Sequence, residues 1–186
     1  TATKEMREGK SEAKDAMKES FAQAREEFKE KLKEIKDAKK QKALTNIDER
    51  IAEKNKKKTD HMSDRLERFT LILAKYTAKE AEWKAAGKNT TALAADIAAA
   101  SDAIEAAKTA VEAQAAKEYI VDVTTEEELR EEAGAVIKQF IEDLKAVHQL
   151  VVAAQKAVVK VARTAAALEG TTATTITPSP TTMATP

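Results

Sequence analysis

A long stretch of the chain is free of residues that break helices. Between Lys4 and Ala86 there is no proline and only one glycine, Gly9. Apolar side chains recur along this stretch at alternating steps of three and four residues, which places them on one face of a helix. The pattern predicts one helix of roughly 80 residues, about 125 Å long if it is unbroken. Its weakest point is the polar segment 55–60, where Thr59 would cap a second helix if the chain turned.

Two further helices are predicted in the second half of the chain. In "AAGKNTT", Gly87 is a helix stop, and either Thr90 or Thr91 is the cap of the next helix. That helix is followed by "YIVDVT", residues 119–124, whose β-branched side chains favour an extended connector. A capping box formed by Thr125 and Glu128 then begins the last helix, which runs to about residue 169.

Because the connections between these helices are short, consecutive helices are expected to be antiparallel neighbours. The sequence therefore predicts an all-α fold, in which the long N-terminal helix and two further antiparallel helices form a three-helix coiled-coil bundle. Residues 1–57 are the projecting half of the long helix, residues 58–169 form the bundle, and residues 170–186 form an extended Thr/Pro-rich tail. The predicted core consists of Met62, Leu66, Phe69, Leu73, Tyr76, Ile97, Ile104, Val111, Val136, Phe140 and Leu144.

The composition excludes several kinds of chemistry. Charged residues make up 34% of the chain and aromatic residues 4%, which is typical of long helices and coiled coils. The chain has no cysteine, which excludes disulfides and thiolate metal sites, and no apolar run is long enough to span a membrane. His61 and His148 lack carboxylates at metal-ligand spacing, and no phosphate-binding loop or nucleophile motif is present. We therefore expect no enzyme activity, no cofactor and no metal.

The charge of the chain is zero overall but unevenly distributed. Residues 1–90 carry a net +6 and residues 91–186 a net −6, so the halves can pair within a chain or between chains. Residues 29–58 hold 12 Lys and Arg against 6 Asp and Glu, and the alternative function is a helical rod that binds an anionic envelope polymer or nucleic acid through this basic face. Many of the acids have a lysine three or four residues away and no aromatic residues are interleaved, which favours a solvated face over nucleic-acid binding.

The C-terminal segment "TTATTITPSPTTMATP" is rich in threonine. Its composition is typical of extended surface stalks, which are often O-glycosylated, and the alternative is a plain flexible terminus. The chain begins with Thr1 rather than methionine, which indicates processing such as the removal of an N-terminal signal. We therefore expect an extracellular or cell-surface location. The candidate glycosylation sites are Thr171, Thr172, Thr174, Thr175, Thr177, Ser179, Thr181, Thr182 and Thr185.

Two segments, "KKKTDHMSDRLERF" and "AVEAQAAKEYIVDVTTEEELR", resemble a group of exported helical proteins from small-genome candidate-phylum bacteria. The resemblance covers most of residues 25–168. It implies a helical, coiled-coil fold and an envelope or extracellular setting. The group has no assigned activity, so the resemblance assigns no functional residues.

Two apolar stripes lack a partner within the predicted bundle. One lies on the projecting half of the first helix, and the other lies on the end of the last helix, roughly 15 residues that would extend about 22 Å beyond Gly87. Because the stripes differ and lie at opposite ends, their contact would be heterologous and would propagate as a head-to-tail helical filament; a closed antiparallel dimer is the alternative. We therefore predict a structural, self-assembling extracellular or cell-envelope protein. Its self-assembly residues are Met17, Phe21, Phe28, Leu32 and Ile35 on the first stripe and Ala154, Val158, Val161, Ala165 and Leu168 on the second.

Overall fold

The computed structural model is all-helical in the part of the chain that it describes, which comprises residue 19, residues 22–121 and residues 128–173. No strand occurs within these ranges, and the predicted all-α class is confirmed. The helical segments are α1, residues 22–34; α2, Ala38–Ala85; α3, Thr91–Ala116; and α4, Leu129–Ala173.

The long N-terminal helix is interrupted at residues 35–37, so the prediction of one continuous helix is wrong. Asp37 caps α2, because its carboxylate accepts a hydrogen bond from the backbone N–H of Lys39 at 2.8 Å. The side-chain amide of Gln41 donates to the carbonyl oxygen of Leu32 across the interruption, at 2.9 Å. The two helices are therefore joined by a tight turn in which side chains satisfy backbone groups.

The polar segment 55–60 does not turn, because α2 continues through it. The hydroxyl of Thr59 donates to the carbonyl oxygens of Asn55 and Lys56, at 2.9 and 3.0 Å. This hydroxyl is buried yet satisfied within its own helix. A polar residue in the apolar seam is thus accommodated without a break in α2.

The described residues form two compact units, and α2, α3 and α4 each contribute to both. The first unit contains the described residues up to Asp64 together with Ala107–Leu150. The second contains Arg65–Ala106 together with the described residues from Val151 onwards.

In the first unit α1 packs back against the rest of the chain. Arg25 forms ion pairs with Asp48 of α2 and with Glu118, each at 3.1 Å. The prediction that residues 1–57 project is therefore wrong for residues 22–57, because the stripe on α1 finds its partner inside the same chain. The buried cluster that contains this stripe consists of Phe28, Leu32, Ile35, Leu44, Val121, Leu129 and Ala133.

In the second unit the α2 and α4 segments run parallel in a constant register. Arg65 donates to the side-chain oxygen of Gln155 at 3.1 Å, and Lys79 pairs with Glu169. Each of these two pairs joins residues that are 90 positions apart. The end of α4 therefore lies alongside α2 as far as Glu169.

In the second unit α3 is joined to α4 through Asp96. Its carboxylate accepts hydrogen bonds from Lys160 at 2.8 Å and from the hydroxyl of Thr164 at 2.7 Å. These hydrogen bonds hold the pKa of Asp96 below its ordinary value. The carboxylate stays ionised at neutral pH and fixes the two helices side by side.

Gly87 ends α2 as the sequence predicted. Its φ of 77° lies in the left-handed region, where glycine carries no steric penalty. Its N–H donates to the carbonyl oxygen of Lys84, and the N–H of Lys88 donates to that of Trp83, each at 3.0 Å. These two hydrogen bonds form a Schellman motif, after which α3 begins at Thr91.

The predicted core positions are buried or half-buried, and none is exposed. The half-buried ones lie at the edges of the seams, where a side chain is partly covered by its neighbours. The buried members are Met62, Leu66, Leu73, Ile104, Val111 and Phe140, and the half-buried ones are Phe69, Tyr76, Ile97, Val136 and Leu144.

The last helix ends later than predicted. α4 continues through Gly170 to Ala173, so the boundary placed between residues 169 and 170 falls inside the helix. The capping box proposed at Thr125 and the tail beyond residue 173 lie outside the described residues. None of the described helices is both long enough and apolar enough to cross a membrane.

Candidate interaction surface

The residues predicted to join copies are buried within the single chain wherever their burial is described, apart from Leu168, which is half-buried. Ala154 and Val161 have no exposed area. Met17 and Phe21 lie outside the described residues. The buried members are Phe28, Leu32 and Ile35 in the first unit and Ala154, Val158, Val161 and Ala165 in the second.

The second stripe does not project, because α4 begins lower along α2 than the sequence suggested. Residues 117–121 are not helical, and an extended chain advances about 3.3 Å per residue against 1.5 Å in a helix. The start of α4 is consequently packed against Leu44 through Leu129 and Ala133. A stripe that we expected to find its partner on another copy is thus covered by the chain's own helices.

The other predicted sites are only partly described. Thr171 and Thr172 lie in the last turn of α4, and the remaining candidate glycosylation sites lie outside the described residues. In the basic stretch 29–58, Lys29, Lys33 and Lys56 each form an ion pair at 2.7 Å with an acid three or four residues away. These lysines are therefore partly neutralised by their own helix.

The first unit contains an apolar groove between α2 and α4. Two adjoining cavities, of about 410 and 230 Å³, share Ile47 and Ile137 in their walls. We call this feature the α2–α4 groove. Its apolar lining consists of Ala43, Leu44, Ile47 and Ile51 from α2 and of Leu129, Ala133, Ile137, Phe140 and Ile141 from α4.

Two isoleucines at the groove are partly exposed to water. Ile137 is 36% exposed and Ile141 is 56% exposed. They are four residues apart on α4 and so lie on the same face. Full burial of an isoleucine side chain stabilises a protein by about 1.5–3 kcal/mol, so a partner that covered this pair would gain a useful part of that energy.

All the ionisable side chains that line the α2–α4 groove are cationic. They are Lys40, Arg50, Lys54 and Arg130, and no carboxylate joins them. Arg50, Lys54 and Arg130 form no hydrogen bond or ion pair through their side chains with any residue of 22–121 or 128–173. An apolar groove with a basic rim fits a helix that carries both small apolar residues and acids.

A buried polar network in the first unit was not anticipated. The side-chain amide of Asn55 donates to the backbone carbonyl oxygens of Gln114 and Lys117, at 2.9 and 3.2 Å, and accepts from the side chain of Gln114 at 3.0 Å. Gln114 also donates to the hydroxyl of Tyr119 at 2.8 Å, and that hydroxyl donates to Asp143 at 2.8 Å. The network therefore satisfies the end of α3 and links it to α2 and α4.

The two ionisable groups in this network keep fixed protonation states at neutral pH. Burial raises the pKa of the Tyr119 phenol, which stays protonated and donates to Asp143. Partial burial alone would raise the pKa of Asp143, but hydrogen bonds from Lys117 and Tyr119 outweigh it and hold that pKa below its ordinary value. The signal in the sequence was Asn55 itself, since a polar residue at an apolar seam position often fixes helix register.

Among the described residues, no group of three or more His, Cys, Asp or Glu side chains is arranged to hold a metal ion. His61 and His148 are both exposed. No known protein family, curated protein or solved structure matches the chain.

Proposed function

We propose that the chain is a structural protein that works by self-association through helix faces and does not catalyse a reaction. The observation that carries this proposal is the α2–α4 groove with its exposed Ile137 and Ile141. Contiguous apolar surface with a polar rim is characteristic of protein contact sites, and a helix laid in a groove is a common way to cover it. The three-helix coiled-coil architecture belongs to the same proposal and is supported by the parallel register of α2 and α4 in the second unit.

The proposal keeps the filament that the sequence suggested but moves its joint. The two stripes first assigned to the joint are buried inside the chain where their burial is described, except for the half-buried Leu168. The groove in contrast is open, and Ile137 and Ile141 in its lining would lose exposed apolar area if a partner covered them. A filament subunit with this joint would bind its neighbour through the first unit.

A structural role also agrees with the way the chain uses its polar residues. The buried side-chain amides of Asn55 and Gln114 form hydrogen bonds with the end of α3 and with each other. A protonated Tyr119 that donates to Asp143 is a poor proton acceptor at neutral pH. These side chains stabilise the fold, which supports a structural role.

The rim cations favour a second candidate, which is binding of an anionic polymer by the basic face of residues 29–58. Arg50 and Lys54 belong to that face and also line the groove. The two candidates respond differently to salt. Polyanion binding weakens steeply as salt displaces the protein from the charges, whereas association through apolar side chains persists.

The proposal is tested by sedimentation velocity over a range of protein concentrations, at low and high salt. Wild type should form assemblies that grow with concentration and persist in high salt. The double variant Ile137→Asp with Ile141→Asp should remain monomeric. The control Leu71→Asp should assemble like wild type, because Leu71 is 65% exposed, belongs to the second unit and does not line the groove. A wild-type protein that stays monomeric at every concentration would refute the proposal.

The cell-surface location and the glycosylated tail remain part of the proposal. They are supported by the threonine-rich composition of residues 170–186. Surface labelling of intact host cells tests the location, and an intact-mass measurement tests the glycans. A mass equal to that of the bare chain would remove glycosylation from the proposal.

A further inference from the structure

In the second unit, the exposed side of α3 combines alanines with acids. Each residue of this surface lies three or four positions from another one, so all of them share one helix face. Every one of them is exposed. We call this surface the alanine–acid face, and it consists of Ala95, Ala98, Ala99, Asp102, Glu105 and Ala106.

The charge of this face is opposite to that of the α2–α4 groove. The exposed ionisable residues of α3 are Asp102, Glu105 and Glu112, all acidic, while Lys108 is half-buried. The three acids form no side-chain hydrogen bond or ion pair with any described residue. The groove has only cationic ionisable residues in its lining. One chain thus carries two surfaces of complementary charge, each with apolar side chains.

We infer that the alanine–acid face of one copy docks in the α2–α4 groove of a second copy. This inference rests on the proposed function and specifies the joint. Small alanine side chains allow a helix to approach closely, so that Ile137 and Ile141 pack against it. Asp102 and Glu105 are three residues apart on the incoming helix, and they pair with cations of the groove rim and fix its orientation.

The joint is heterologous, because the two surfaces differ in sequence and belong to different units. After the first contact one copy keeps its groove unused and the other keeps its face unused. Further copies add at both ends, which produces an open assembly unless the rotation between copies closes a ring. Open-ended growth of this kind distinguishes the joint from an isologous dimer contact, which closes after two copies.

The experiment uses two full-length variants that each lack one half of the joint. The groove variant carries Ile137→Asp and Ile141→Asp, and the face variant carries Asp102→Lys and Glu105→Lys. Circular dichroism first verifies that both are as helical as wild type, which is expected because all four positions are exposed. A control variant carries the same charge change at the same spacing on exposed positions of α2, Asp64→Lys with Glu67→Lys.

Each half-joint variant alone should be monomeric by sedimentation velocity, and the control should assemble like wild type. An equimolar mixture of the two variants should form a complex of one chain of each, because one intact groove meets one intact face. The mixture cannot grow further, since the remaining groove and face are both disabled. This one-to-one complex is the result that distinguishes the proposed joint from general stickiness.

Three results would overturn the inference. A face variant that assembles like wild type would show that the groove binds something else, and the proposed self-association would still stand. A mixture that stays monomeric would show that face and groove do not meet. A wild-type protein that is monomeric throughout would refute the inference together with the proposed function.

Discussion

Replacing Asn55 with alanine tests whether the buried polar network holds the first unit together. The side chain of Asn55 makes two hydrogen bonds to backbone carbonyl oxygens, of Gln114 and Lys117, and accepts one from the side chain of Gln114. Both Asn55 and Gln114 are almost completely buried, at 4% and 1% exposure. Alanine removes all three hydrogen bonds and leaves the polar partners in place.

The size of the effect follows from the groups left without partners. The side-chain N–H of Gln114 that donates to Asn55 is buried, and a buried donor that loses its partner costs about 1–3 kcal/mol. The backbone carbonyl oxygen of Gln114 keeps a hydrogen bond from the N–H of Lys117. A cavity of about 150 Å³ is lined by Asn55 and Tyr119 and gives water some access, which moderates the loss. We therefore expect Asn55→Ala to lower the free energy of unfolding by about 1–3 kcal/mol.

Urea unfolding monitored by circular dichroism measures this loss as a shift of the midpoint. Asn46→Ala is the matched control, because Asn46 is an exposed asparagine on the same helix, and it should change stability by no more than about 0.5 kcal/mol. The double variant Asn55→Leu with Gln114→Leu should cost less than the sum of its single variants, because neither amide is left facing a lost partner. The reasoning is refuted if Asn55→Ala is as stable as Asn46→Ala.

Four further predictions concern the core, the turn and the response to acid. Phe140→Ala should lower the free energy of unfolding in urea by about 3–5 kcal/mol, because the ring is buried, and an unchanged midpoint would contradict its place in the core. Val161→Asp should lower the helical signal of the protein in circular dichroism, because it buries a charge in a site with no exposed area. Its control is Val159→Asp, at a position that is 41% exposed, which should keep the wild-type signal. Gly87→Ala should cost about 1–2 kcal/mol in urea unfolding, because φ is 77° and the space around the glycine is open, so only backbone strain opposes the methyl group. Asp143 has a pKa below its ordinary value in the folded state, so the stability that its carboxylate contributes is present above about pH 4 and is lost as the pH falls through the folded pKa. Asp143→Asn should therefore show a smaller drop in urea midpoint than wild type between about pH 4 and pH 2, and equal drops would contradict this.

Much of the helical architecture could be predicted because it depends on local signals. Gly87 stops α2 since its left-handed φ suits glycine, and the stepwise apolar pattern marks the buried side of each helix. The turn at residues 35–37 was missed because no glycine or proline marks it. Asp37 was a usable signal, as an acid that caps the following helix.

The partner of each apolar stripe could not be read from the sequence. A stripe such as Ala154 to Ala165 demands a covering surface, but the demand is equally met by another copy or by the same chain. The answer depended on where α4 starts along α2, and its first turns pack against Leu44. The α2–α4 groove could not be predicted for a similar reason. Ile137 and Ile141 follow the same helical periodicity as buried positions, and only the packing of the helices shows that they are exposed.

The parallel register of the second unit limits how such a chain can change in length during evolution. The pairs Arg65 with Gln155 and Lys79 with Glu169 are both spaced by 90 residues, so one extra residue in α2 between them would rotate every following side chain by about 100° relative to α4. An insertion is tolerated when it adds whole heptads, and only when α4 gains the same number in the matching interval. The antiparallel α3 must lengthen with them to keep the new layer covered. Viable length variants of this protein should therefore differ by one seven-residue insertion in each of α2, α3 and α4, and each insertion lengthens its helix by about 10.5 Å.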